Sequence, residues 1–415
     1  MALHPIQLVV KDDLKRWRVS VFFRLLFAIP HFFWLGIWGI GAIFAGIAIW
    51  FATLVKGTPP QGLHNFLAGF VRYGTHVYAY VMLAANPFPG FLGHVGTYPI
   101  DVEIDPPEPQ NRWGVAFRLV LALPALVLAA SLFGLPSGGG GRAEQEAALT
   151  FVGAGWVVGF LAWFACLVRG EMPLGFRNFL AYALRYSAQA YGYFFLLTAR
   201  YPDADPEEPP SRGPDHPVTL TVTDDLRRSR LTVFFRLLLA LPHYVWLVLW
   251  TALAVVAIVL NWFATLVMGR PPQVFHRFIG AWIRYSIHLG AYLTLVGNPF
   301  PGFTGTAGSY PIDLELPEPQ RQPRLVTLFR LFLAIPALFV SSAIGTLLFL
   351  AAFYGWFYSL VTGRMPQGLR NLGAYVLRYQ GQADAYLYLL TARYPFSGPV
   401  LGGADEPEPL PLLGL

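Results

Sequence analysis

Polar and apolar residues alternate in four short stretches: Ile6, Leu8 and Val10; Ile100, Val102 and Ile104; Val218, Leu220 and Val222; Ile312, Leu314 and Leu316. Gln7, Asp101, Glu103, Thr219, Asp313 and Glu315 lie between them, which is the period of a half-buried strand. An apolar stretch of about 36 residues follows each one and opens with a sequence like "FFRLLFAIP". A Gly-Pro turn comes next, then a helix of roughly 24 residues with Arg-Tyr at its middle. The turns are Lys56–Pro60, Arg169–Pro173, Gly269–Pro272 and Gly363–Pro366. The pairs are Arg72-Tyr73, Arg185-Tyr186, Arg284-Tyr285 and Arg378-Tyr379.

This order repeats because the chain does. "HPIQLVVKDDLKRWRVSVFFRLLFAIPH" from His4 returns as "HPVTLTVTDDLRRSRLTVFFRLLLALPH" from His216, and within each half a second copy follows, Arg24 mapping to Arg118 and Arg236 to Arg330. Four units are expected, at about 4–91, 98–202, 216–303 and 310–395, in halves 1–202 and 216–395. A Pro-rich acidic linker (203–215) and a flexible tail (396–415) complete the chain. Unit two carries a polar insertion around "LPSGGGGRAEQEAAL".

The expected fold is mainly α: a polytopic helical membrane protein of four quasi-repeats, each an apolar hairpin plus an amphipathic helix, with a small four-stranded extramembrane sheet. As a single helix, Val19 to Val55 would be about 55 Å long against a hydrocarbon core of about 30 Å. Two arrangements answer this. One is a hairpin of two short legs with the Arg-Tyr helix at the surface. The other is a surface helix ending at Pro30, followed by two spanning helices. The insertion favours the hairpin, since a polar glycine loop fits a hairpin tip and not lipid. The other tips, near Trp38 to Gly41 and Trp250 to Leu253, lack polar turn residues.

Composition agrees with a membrane location: 55% hydrophobic, 13% charged and mean hydropathy +0.49, where a soluble domain carries about 25% charged residues. The net charge is +6, mostly from arginine. Basic residues beside apolar helices point to the positive-inside bias and to anionic lipid, not to nucleic acid. No removable signal peptide is visible, so the expectation is a multi-pass protein of a bacterial cell membrane with cytoplasmic termini. One cysteine, Cys166, excludes disulfides.

The separated motifs, strand, "FFRLLFAIPH", tryptophan-rich run, "VTGRMPQGL", "LRY" and "AYLYLLTARYP", resemble an uncharacterised bacterial membrane family, domain of unknown function 4389. The resemblance covers essentially the whole chain and implies an integral membrane protein with no known activity. Units two and four end in "TARYP", whereas units one and three end in "NPFPGF".

Candidate residues follow the repeat. With no acid in their helices after the first turn except Asp384, Arg72, Arg185, Arg284 and Arg378, with Tyr73, Tyr186, Tyr285 and Tyr379, read as lipid- or ligand-binding residues of interfacial helices. Arg24, Arg118, Arg236 and Arg330 join them. His31, His243, His76 and His288, found only in units one and three, are polar intramembrane candidates. Asp101, Glu103, Asp313 and Glu315 read as a solvated strand face. Without a nucleophile elbow, Walker loop, zincin helix or paired carboxylates in the apolar segments, no enzyme, cofactor or metal site is expected. The expected partners are anionic membrane lipids and a membrane protein. The leading function is a non-catalytic scaffold or accessory protein; the alternative is a transporter or channel with an Arg- and His-lined path.

Overall fold

The structure is a computed structural model in which residues 4–134, 153–206 and 215–399 are described. The inserted loop, the middle of the linker and the tail from residue 400 lie outside the described residues. The chain divides into two compact units, Met1–Ala204 and Asp205–Leu415.

The first unit runs β1 (Ile6–Val10), α1 (Arg18–Phe22), α2 (Arg24–Lys56), α3 (Gln61–Val81), β2 (Ile100–Ile104), α4 (Arg112–Ala116), α5 (Arg118–Phe133), α6 (Ala154–Arg169) and α7 (Leu174–Phe194). The second runs β3 (Thr219–Val222), α8 (Arg230–Leu239), α9 (Leu241–Met268), α10 (Gln273–Leu293), β4 (Ile312–Glu315), α11 (Arg324–Leu328), α12 (Arg330–Thr362) and α13 (Gln367–Leu387).

The apolar stretch is not a hairpin. In α2, 33 residues continue without reversal past Trp38 to Gly41, and α12 does the same over 33 residues. No residue at the expected tip forces a turn. Pro30 and Pro336 sit near the helix starts and do not break them. Each long helix stops where the Gly-Pro turn was expected. Gly57, Gly170, Gly269 and Gly363 adopt φ between 71 and 81°, closing the last turn as only glycine does without strain. Pro60, Pro173, Pro272 and Pro366 then lead into helices of 21 residues, α3, α7, α10 and α13. Three helices, α2, α9 and α12, are long and apolar enough to cross a membrane.

One narrow face of α2, through Ala28, His31, Ala42, Ala45, Ile49 and Thr53, is buried, at the 3.5-residue spacing of a helix seam. Its other faces are apolar and exposed from Leu25 to Val55. The 21-residue helices are the interior: Tyr73, Tyr285 and Tyr379 are fully buried. These helices are therefore not interfacial and amphipathic, because they are covered by a long helix and by a strand.

Instead of one four-stranded sheet there are two of two strands, β1 with β2 and β3 with β4, both antiparallel. The outer edges are occupied by side chains. Gln189 donates to the Ile6 carbonyl and Gln382 to Val218, while Arg72 donates to Val102 and Arg284 to Leu314. A strand edge with one of its carbonyls taken by an Arg or Gln side chain offers only an interrupted ladder to a third strand.

Within each unit the segments are exchanged end to start. The end of α2 meets the start of α4, where Gln110 N–H donates to Gly57, Arg112 to Val55 and the Trp50 indole to Val115. The end of α6 meets α1 in the same way, through Arg16 N–H to Gly170, Arg18 to Val168 and Trp163 to Val21. The second unit repeats both junctions with Gln322, Arg324 and Trp262, and with Arg228, Arg230 and Trp356. The β1–β2 register is symmetric about Leu8 opposite Val102, with Ile6 opposite Ile104 and Val10 opposite Ile100.

Candidate functional site

Helix α3 ends at Val81, and Leu83 follows with φ 63°, a left-handed position usually given to glycine. The terminal carbonyls left open there point at two arginines. Arg16 donates to Leu83 and Ala84 at 2.9 and 2.8 Å and pairs with Asp12 at 2.7 Å. Arg24, 1% exposed, donates to Tyr80 and Ala85 at 2.9 and 2.8 Å and to Asn86, its guanidinium 4.4 Å from the Tyr80 ring centre. Cations at a helix C-terminus also gain from the macrodipole, up to about 2 kcal/mol when partly buried. Arg228 and Arg236 do the same for the end of α10, on Leu295, Val296, Tyr292, Gly297 and Asn298.

At the ends of α7 and α13 the outer arginine is replaced by glutamine. Gln110 and Gln322 donate to Leu196 and Leu389 at 2.7 and 2.6 Å. Their side-chain oxygens accept from Arg118 and Arg330, which lie 3.9 and 4.1 Å from the Tyr193 and Tyr386 rings.

In mid-helix the Arg-Tyr pairs face inward. Arg72 donates to Val102 and Gly93 and stands 3.7 Å from Asp101, which accepts from His76 at 2.7 Å. Arg284, Asp313 and His288 repeat this, at 3.5 and 2.7 Å. Asp101 and Asp313 are thus buried, not a solvated face, while Glu103 and Glu315 are exposed as expected. Burial pushes the Asp101 carboxyl up, but hydrogen bonds from His76, Gly96 and Val102 outweigh it and hold it below the ordinary carboxylate value. For Asp313 the bonds from His288 and Gly308 have the same effect. Arg378 instead donates to Gln382 and to the Phe396 and Gly398 carbonyls, and Gln382 accepts the Phe396 N–H. Residues 396–398, expected to open the flexible tail, are tied to α13. Asp203 and Ala204, at the start of the expected linker, are held likewise by Gln189 and Tyr182. Arg185 is also buried, beside Tyr182.

His31 accounts for the two endings. Its ring lies 4.4 Å from Phe88 and 4.5 Å from Phe91 of "NPFPGF" and shares a 2.8 Å hydrogen bond with the Tyr73 hydroxyl, while Trp34 donates to the Phe91 carbonyl. His243 repeats the clamp with Phe300, Phe303 and Tyr285. The aligned positions 125 and 337 hold alanine; Ala125 is buried, and Ala337 offers its carbonyl to Tyr379.

The structure therefore joins Arg72 and His76 through Asp101, and separately His31 with Tyr73, and the second unit repeats both arrangements. It withdraws the interfacial, phosphate-facing reading of the four central arginines. Among the described residues, no group of three or more His, Cys, Asp or Glu is placed to hold a metal ion. Sequence reasoning missed Arg16 and Arg228 as clamps. The Asp-x-x-x-Arg spacing of Asp12–Arg16 and Asp224–Arg228 signals them.

The profile of the family described as Domain of unknown function (DUF4389) matches residues 18–92, 230–304 and 324–397, over half of the chain. The chain belongs to this family. The profile marks three copies where the sequence reading counted four; the stretch between 93 and 229, with the insertion, is not among the matched residues. No curated protein and no solved structure matches the chain.

Proposed function

We propose that this DUF4389 protein is a non-catalytic integral membrane scaffold or accessory protein, built of four copies of one unit and holding lipid or a membrane partner. The observation that supports this is where the polar groups go. The buried arginines that could line a path are turned onto carbonyls and tyrosine rings of their own unit. The surface left to the surroundings is apolar along α2, α9 and α12. A bacterial cell membrane with the termini on its cytoplasmic side suits the basic residues at the helix ends.

The test is reconstitution of the full chain in phosphatidylethanolamine–phosphatidylglycerol vesicles. The expected result is no leak of K⁺, H⁺ or anions above empty vesicles, with phosphatidylglycerol retained through detergent purification. A flux abolished by Arg72→Gln with Arg284→Gln would replace the scaffold with the transporter reading.

A further inference from the structure

We infer that the long helices of each unit do not cross the bilayer but lie flat in a single leaflet, with the strand pair facing water above them. This rests on the membrane reading proposed above and fixes the surface and its partner: the acyl region of one leaflet, ringed by anionic headgroups.

The argument is geometric. The two junctions of the first unit, Val55 with Arg112 and Val168 with Arg18, are quasi-equivalent: each is the end of one segment on the start of the other. The rotation that exchanges the segments exchanges the junctions. It also carries the β1–β2 ladder onto itself about Leu8 and Val102. The ladder therefore lies on the rotation axis and is equidistant from both junctions. Because α2 is continuous from Arg24 to Lys56, the junctions stand about 50 Å apart.

Two placements satisfy this. If α2 spans, the junctions lie on opposite faces of the bilayer and equidistance puts the ladder at mid-depth. That strands the exposed Gln7–Glu103 cross-strand pair, and Glu315 with Thr219 and Thr221 in the second unit, in hydrocarbon at the most costly depth. If the axis is the membrane normal, both junctions sit at one interface and the ladder stays wet.

Length and charge favour the second. An apolar helix of about 50 Å crosses a 30 Å core only at a tilt of about 53°, beyond the 0–40° range of spanning helices. Both junctions are basic: Lys56 and Arg112 at one, Arg18 and Arg169 at the other, all exposed. The second unit repeats the pattern with Arg270 and Arg324, and with Arg230 and Arg364. A positive-inside bias divides such groups between sides; here they are shared equally, as for groups meeting one anionic surface. Trp17 and Trp113, highly exposed, start the two segments at that level.

The experiment places single cysteines at Lys56, Arg169 and Gln7 in the full chain carrying Cys166→Ser. An impermeant maleimide is then applied to right-side-out and inverted vesicles. All three sites are expected to label from the same side, at rates within about threefold of one another. Lys56 and Arg169 labelling from opposite sides would overturn the flat placement while leaving membrane embedding intact. Release of the unlabelled protein by alkaline carbonate without detergent would overturn the membrane reading itself. As a second measurement, spin labels at Leu25, Ile40 and Val55 are expected at one depth, whereas a deepest value at Ile40 would mean a spanning helix.

Discussion

The ends of α3 and α7 solve the same problem with different residues. Both present open carbonyls around a leucine in left-handed conformation. At α3 two guanidiniums reach the backbone directly, one of them paired with Asp12. At α7 a neutral amide reaches it, and the single arginine is held through that amide and a tyrosine ring. A buried cation needs hydrogen-bond acceptors and not necessarily a carboxylate, so the absence of acids from a helix does not free its arginines. The difference continues in mid-helix, where His76 of α3, bonded to Asp101 of β2, corresponds to Gln189 of α7, bonded to the Ile6 carbonyl.

The comparison breaks hardest at the clamp. Arg24→Gln leaves several buried carbonyls unmet and is expected to cost about 3–5 kcal/mol, whereas Arg118→Gln, with one acceptor to lose, costs about 1–2 kcal/mol. Chemical denaturation in detergent micelles reads both; equal losses would mean that the direct and relayed clamps are equivalent. Asp101→Asn should cost about 2–4 kcal/mol by leaving Arg72 and His76 without their carboxylate. If the two solutions are interchangeable, adding His76→Gln to it recovers part of that loss in the same assay.

His31→Ala copies Ala125 and Ala337 but leaves Phe88 and Phe91 unpacked. A loss of about 1–3 kcal/mol is expected, with faster proteolysis of the 82–99 loop; an unchanged cleavage rate would reject the clamp.

The smallest effect is a pH slope. Burial, with the nearby Arg378 charge, lowers the His216 imidazole to about 4, and burial lowers His4 as well. The unfolded chain takes up the proton near pH 6.5 and the folded one only near 4. The unfolded state therefore binds more protons in this window, and stability falls as pH drops from 6.5 toward 4. Melting at pH 7.0, 5.5 and 4.5 should show this decline, and His216→Asn should flatten it.

Much of this was legible in the chain. Alternation located the strands, the Gly-Pro turns located the ends of the long helices, and the Arg-Tyr spacing located the interior helices. Alternation failed at Asp101 because only the first part of β2, Ile100 to Val102, is covered on both faces: there the acid that should face water lies under α3 and meets Arg72, 29 positions away in sequence, while Glu103 stays exposed. The hairpin fails because the thickness of a bilayer does not limit the length of a helix, and no residue near Trp38 supplies a turn. The flanks of the insertion stay close. Leu132 and Gly134 crowd Gly153 so tightly that a Cβ there would lie 2.6 Å from backbone atoms. The two flanks of the insertion therefore meet at one point, and the insertion need not mark the tip of a hairpin.

The end-to-start exchange also constrains synthesis. When a ribosome has made the first hundred residues, α2 is complete, but α4, which receives its last turn, and α6, which receives α1, do not yet exist. A nascent chain halted there displays an unclosed apolar rod with Trp50 and Val21 unmatched. Only once Gly170 has emerged can both ends be fastened. Translation must therefore run through the insertion before the first unit can close, and a stop codon placed inside that loop is expected to yield a fragment that insertion factors and proteases keep handling as nascent.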